Sequence, residues 1–188
     1  MVEGNTPTAE WPVFNLQRLE QAIAGAKTAN KYLFIWDKQG SVATFMQYKG
    51  QLCSLAPEVV KVALQRQTAQ DVGEVIRKEF INGMRNGENL CIDIDKSVPD
   101  FASYNSDGTF DANLFFNWAE FNQEANHMPF VRENENHGIG GINPGNGYAR
   151  SANFCGIIRS GVEGEEALQE QIAKIPNFNT DFHHVVIS

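Results

Sequence analysis

The chain lacks any long apolar run. Nowhere in its 188 residues do about 18 apolar residues follow one another, so no membrane span is expected. A basic face is missing too. Fifteen Lys and Arg stand against 23 Asp and Glu, giving a formal net charge of −8, and the cations are scattered along the chain. Binding a polyanion takes clustered cations that neutralise phosphates, so nucleic acid is not an expected partner. The opening Met-Val-Glu-Gly-Asn-Thr-Pro has neither the basic and apolar stretches of a secretory signal nor the Arg-rich, acid-poor look of an organelle presequence. The expected compartment is the cytoplasm. Cysteine is scarce: Cys53, Cys91 and Cys155 are far apart and include no C-x-x-C pair, so buried, reduced thiols are expected. Zinc is not expected either. His127 and His137 have no Cys or His at ligand spacing, and the adjacent His183 and His184 would face opposite sides of a strand. No G-x-S-x-G elbow, no Cys–His pair at recognisable spacing and no internal repeat is present.

What remains is an ordinary globular composition, 42% hydrophobic and 20% charged, sized for one domain with a substantial core. Residues 1–13 are polar, carry two prolines and are expected to be extended; residues 14–188 form a single α/β domain. Asn15 caps a helix to about residue 30, with Leu16, Leu19, Ala22, Ile23 and Ala26 as its apolar stripe. The run 33–36 is a strand buried on both faces, as in a parallel sheet. A short helix over 41–48 ends at Gly50. Another helix starts at Ser54-Leu-Ala-Pro-Glu, although the valines from Val59 onward also suit a short strand. Thr68-Ala-Gln-Asp71 is a capping pattern opening a helix that Asn86-Gly87 ends, and 90–94 is the next strand. Asp111 caps an aromatic-rich helix carrying Leu114, Phe115, Trp118 and Phe121. Residues 132–152 are a long Gly/Asn-rich loop. A strand at 154–158, a helix at 165–175 closed by Pro176 and a last strand at 183–187 complete the pattern. Its grammar is that of a three-layer α/β fold, with a mostly parallel central sheet and helices on both faces.

The chemistry-bearing residues gather at two strand ends. Asp93 and Asp95 alternate on one strand and so share a face, and Asp95 lies at the carboxyl end, where open α/β sheets bind ligands. They are the candidate magnesium ligands, with phosphates sharing the ion. Gly40, Ser41 and Thr44, in the turn after the first buried strand, are the candidate nucleotide-binding residues. Each has a plainer alternative: the acids can cap a loop or pair with Lys96 or an arginine, and the hydroxyls can cap the short helix. Gly138 to Gly147 is like a phosphate loop in composition only, since it lacks a strand before and a helix after. Ser103-x-Asn105-x-Asp107-Gly108 is a turn, because Leu114 stands where a calcium loop needs an acid.

The strand ending at Asp37, the turn from Gly40 to Thr44 and the strand ending at Asp95 together resemble the core of a P-loop NTPase of the AAA-like or kinase-like kind, over residues 15–100. The resemblance implies phosphates held at the first loop and magnesium at the acidic strand. The loop itself departs from G-x-x-x-x-G-K-[ST]. With Thr44 as the hydroxyl, Ala43 stands for the lysine, and Val42 and Asp37 stand for the glycines. The cradle thus loses its cation and gains a carboxylate where phosphate would lie. The run from Ala22 to Asp37 also looks like the helix-then-strand opening of a thioredoxin-like fold, without its redox motif.

The expected function is therefore non-catalytic: a degenerate NTPase-like module serving as a structural or adaptor subunit. Its partners would be other protein subunits, and a cytoskeletal or axoneme-like assembly, as in a cilium, would suit it. No cofactor is expected in that case. Contact surface would come from aromatics in 110–130 or from the 132–152 loop. The alternative is a nucleotide-binding kinase or ATPase using ATP or GTP with magnesium. In that reading Lys38, Arg150 or Arg159 converges on the loop after Trp36. Asp37 filling the cavity instead would count against it.

Overall fold

The structure, a computed structural model, describes residues 10–188. Of the segment expected to be extended, residues 1–9 lie outside the described residues. In chain order the elements are β1 (Val13–Phe14), α1 (Leu19–Thr28), β2 (Tyr32–Asp37), α2 (Ser41–Lys49), β3 (Gln51–Ser54), α3 (Ala56–Ala63), α4 (Ala69–Asn86) and β4 (Asn89–Asp95). Then follow α5 (Ala112–Phe115), α6 (Trp118–Phe121), α7 (Glu124–His127), β5 (Cys155–Ser160), α8 (Glu165–Ile172), α9 (Phe178–Asp181) and β6 (Phe182–Ile187). Short 3-10 turns join several of them. The six strands form one all-parallel sheet in the order β1-β6-β2-β5-β4-β3. This is a three-layer α/β architecture.

Every residue of β2 is buried, which is what helices on both faces demand of a central strand. Alternation divides the strand between two cores. Leu33 and Ile35 meet α1 and α2 through Leu19, Ile23, Val42 and Met46. Tyr32, Phe34 and Trp36 meet the opposite layer, built from α3, α4, α8 and the segment between β4 and β5. The capping pattern before α4 forms as expected: Thr68 Oγ1 accepts from the Asp71 N–H at 3.2 Å, and Asp71 Oδ2 accepts from the Thr68 N–H at 2.7 Å. Gly87 closes the helix at φ +71°.

Two local expectations change, and one open alternative is decided for the helix. Gln51–Ser54 is an edge strand that the sequence did not announce, because its mixed polar pattern is only half-buried. The valines after Pro57 are helical, in α3. The aromatic helix breaks into α5 and α6, because Asn117 caps a fresh turn through Glu120 N–H and Asp181 Oδ1 holds the Trp118 N–H at 2.8 Å. The aromatics themselves turn inward. Phe110, Phe115, Phe116 and Phe121 are buried against Phe80 of α4 and its neighbours, so 110–130 does not offer the aromatic contact surface expected of it.

One buried cation fastens this inserted segment to α4. Arg77 donates to both oxygens of Glu74, both oxygens of Glu135 and the Phe130 carbonyl, at 2.6 to 2.8 Å. Tyr148 adds a hydrogen bond from its hydroxyl to the Ile81 carbonyl at 3.1 Å.

Candidate functional site

In an open parallel sheet the ligand crevice opens at the carboxyl edge, where neighbouring strands send their connections to opposite faces. Here that point lies between β2 and β5. The chain leaves β2 through α2 on one face and leaves β5 through α8 on the other. The residues at the crevice are Asp37, Arg159 and Ser160, with Asp93 and Asp95 one strand further on.

The loop after β2 has the shape of an anion cradle. Gly40 sits at φ +74°, a left-handed conformation that glycine adopts without cost, and its turn aims successive N–H groups inward at the start of α2. The anion they hold is the chain's own. Asp37 Oδ1 accepts from the N–H of Gln39 at 3.2 Å, the N–H of Gly40 at 3.1 Å and the Ser41 hydroxyl at 3.3 Å. Asp37 Oδ2 accepts from the Val42 N–H at 2.8 Å. The Thr44 hydroxyl turns back to the Gly40 carbonyl at 3.3 Å. All three candidate nucleotide-binding residues are therefore beside the crevice. Gly40 and Ser41 are engaged with Asp37, and Thr44 with its own helix.

The second half of the site is a buried guanidinium. Arg159 Nη1 donates to Asp93 Oδ1 and to Asp95 Oδ1, each at 2.9 Å. Arg159 Nη2 donates to the Asp37 carbonyl at 2.6 Å, and Nε lies 3.4 Å from Asp37 Oδ2. Burial works against the charge of Arg159, but Asp93, Asp37 and Asp95 outweigh it and hold the cation firmly protonated. Asp93 and Asp95 do share a face, as their spacing predicts. The juxtaposition needs a register shift between them, however, with Asp95 at φ +45° and its N–H on Asp93 Oδ1 at 3.1 Å. Their common partner is Arg159. A Cβ on Gly161 would run into Asp95 Oδ1 and both terminal nitrogens of Arg159, so the close approach requires glycine there.

Further bonds draw the strand ends together. Gln171 of α8 accepts from Ser160 Oγ at 2.5 Å and donates to the carbonyls of Asp95 and Ser97 at 2.9 and 2.6 Å. Trp36 Nε1 donates to the Val162 carbonyl at 2.7 Å. Of the three cations expected near the loop, only Arg159 enters it. Lys38 stacks its ammonium 4.2 Å from the Trp36 ring centroid, and Arg150 lies over Trp118. The cavities at 105–111, 78–137 and 122–150 are lined by neither Gly40 nor Asp95.

The histidines lie apart from this edge. His184 stacks on Phe178 with Trp11 tilted against it, while His183 faces Gly25 of α1 on the other side of the sheet. Among the described residues no three His, Cys, Asp or Glu side chains are grouped to hold a metal ion, and no helix is long and apolar enough to cross a membrane. The role of Arg159 was hard to read from sequence, since it lies 122 residues from Asp37. The available signal was an arginine inside an otherwise apolar strand. Known protein families, characterised proteins and solved structures offer no match to this chain.

Proposed function

We propose that this chain is a non-catalytic structural or adaptor subunit of a larger protein assembly, built on a degenerate NTPase-like domain. The observation that carries the reading is the self-filled crevice. Asp37 occupies the amide cradle that a phosphate would need, and Arg159 joins the two acids that a magnesium ion would need. A nucleotide would have to displace a carboxylate with four donors and break the three ion pairs of a buried arginine, one of them to the fully buried Asp37, before making a contact of its own. With the aromatics of 110–130 turned inward, the contact surface passes to the loop at 132–152, whose Ile139 and Ile142 are each 63% exposed. A cytoplasmic filament or axoneme-like complex is the setting we favour.

The test is calorimetric titration of the purified chain with ATP and with GTP, each with magnesium. The expected result is no heat of binding at millimolar nucleotide. Micromolar binding would overturn the reading in favour of a kinase or ATPase with a displaced loop. An Asp95→Asn variant would then be assayed for turnover. The adaptor role has its own counter-result: a monodisperse monomer for which no partner is recovered from its source.

A further inference from the structure

At the amino end of the sheet, where Tyr32 and Cys155 begin β2 and β5, lies a concentration of unsatisfied polar groups. A cavity of about 320 Å³ is lined by Asn122, Glu124, His127, Met128, Tyr148 and Arg150. That volume falls at the lower end of the range for small-molecule pockets. On its wall three buried polar atoms have no hydrogen-bond partner, Asn122 Nδ2, Asn122 Oδ1 and Arg150 Nε, and Tyr32 Oη, also without one, lies within electrostatic reach of Arg150. Such groups are rare in folded proteins, and a cluster of them needs a reason.

Arg150 is the centre of the cluster. Its guanidinium is half-buried, and among the described residues no carboxylate pairs with it and no carbonyl accepts from it. Its one contact of note is the Trp118 ring, with the guanidinium carbon 5.9 Å from the centroid. The two buried arginines are treated differently: Arg77 has two carboxylates and Arg159 has three. Burial pulls the pKa of Arg150 down, with only Tyr32, Tyr148 and Cys155 acting against it. A half-buried cation without a bonded counter-charge is a cost to stability, and an incoming anion would relieve it.

We propose that Arg150 anchors a binding site for a small monocarboxylate. The rest of the lining selects for that class. His127 uses Nδ1 on the Phe121 carbonyl at 3.1 Å, and burial, with Arg150 adding to it, keeps the ring neutral, so Nε2 is an acceptor and gives no second positive charge. Glu124 stands on the same wall and repels a dianion such as phosphate about twice as strongly as a monoanion, so the single charge of a carboxylate is favoured. One planar guanidinium fits one carboxylate through two parallel hydrogen bonds. Tyr148 and Met128 provide an apolar wall for the remainder of the ligand.

The experiment is thermal unfolding with sodium benzoate or sodium acetate, against sodium chloride and sodium phosphate at matched ionic strength. At ten times its Kd, a carboxylate raises the Tm of the native chain by about 4 °C. The rise vanishes in Arg150→Gln and persists in Lys49→Gln, which removes an exposed charge elsewhere. Without ligand, Arg150→Gln melts at or slightly above the native temperature, because the unpaired cation is gone. Arg150→Lys keeps the charge and the fold but loses the planar fork, and its carboxylate affinity falls about tenfold. An equal rise with phosphate would overturn the carboxylate assignment. No Arg150-dependent rise with either carboxylate would overturn the site. A ligand-free Arg150→Gln that melts several degrees lower, while Arg150→Lys does not, would make Arg150 a structural strut instead.

Discussion

Asp37 and Arg159 decide what the crevice contains, and their neighbours follow. The carboxylate is 0% exposed, and it is held by amide donors on one side and the guanidinium on the other. Removing one partner of a buried pair leaves the other uncompensated, at a cost of about 3–5 kcal/mol. Arg159→Met, which strands the fully buried Asp37 and leaves Asp93 and Asp95 to solvent, should lose that much in urea unfolding. Asp37→Asn should come close to it, since the amide cannot carry the charge the cradle is built around. Thr44→Val should cost less than about 0.5 kcal/mol, because only a bond within its own helix is lost. A Thr44→Val variant as damaged as Asp37→Asn would contradict this account of the loop. The sequence was informative at this scale about position. Gly40, Ser41, Asp93 and Asp95 were placed at one edge by strand ends and alternation, and Asp37 was seen to stand where phosphate would lie. Arg159 was only one of three cations considered. Choosing among them needs the strand order, which pairs Asp93 with Arg159 across β4 and β5 and cannot be read from one chain.

Elements were legible where one pattern covered the whole of them. The strands β2 and β4 are built on apolar runs, and α4 carries a helical stripe with its cap written at Thr68 and Asp71. The short pieces were not legible, because tertiary contacts set them: β3 forms on the edge of β4, and α6 starts where Asp181 reaches Trp118. The inserted segment from 97 to 152 depends in the same way on Arg77. Hydrogen bonds from Arg77 pull the Glu74 carboxyl down to about 2. Burial raises the Glu135 carboxyl, but the bonds from Arg77 and the Arg132 N–H win and leave it lowered. A carboxyl with a depressed folded pKa contributes stability above its unfolded value, near 4.3, and loses it as pH falls toward the folded value. The clamp should therefore weaken between about pH 4.5 and 2, with the effect of Glu74 reduced by its exposure to solvent. In Arg77→Met the acid limb of the stability curve over that window should flatten. Hydrogen exchange should rise across 97–152 more than in β2 or β5. An unchanged acid limb would show that other carboxylates carry the pH dependence. Thr68→Ala tests the helix itself and should cost about 1 kcal/mol through the lost cap.

Across the whole molecule the three thiols report how the sheet comes apart. The helix-then-strand run from residue 22 to 37 suits both folds that the sequence resembles, so it could not say which strand is central. The order of strands settles that: β3 is an edge and β4 and β5 are interior. Cys53 lies on β3, Cys91 on β4 and Cys155 on β5, and all are buried and free. Burial pushes the Cys53 and Cys155 thiols up to about 12 and the Cys91 thiol well above its ordinary value. At pH 8 almost none is thiolate in the native state, so a thiol reagent reacts only with opened forms. An edge strand of four residues with one bonded neighbour can open by itself; interior strands open only with the domain. Cys53 should therefore be labelled at least about tenfold faster than Cys91 and Cys155, a ratio that needs only about 1.4 kcal/mol between local and global opening. The two slower cysteines should react together, at a rate that urea raises with the full slope of global unfolding. If all three react at one rate, β3 does not open alone, and the sheet behaves as a single cooperative unit out to its edge.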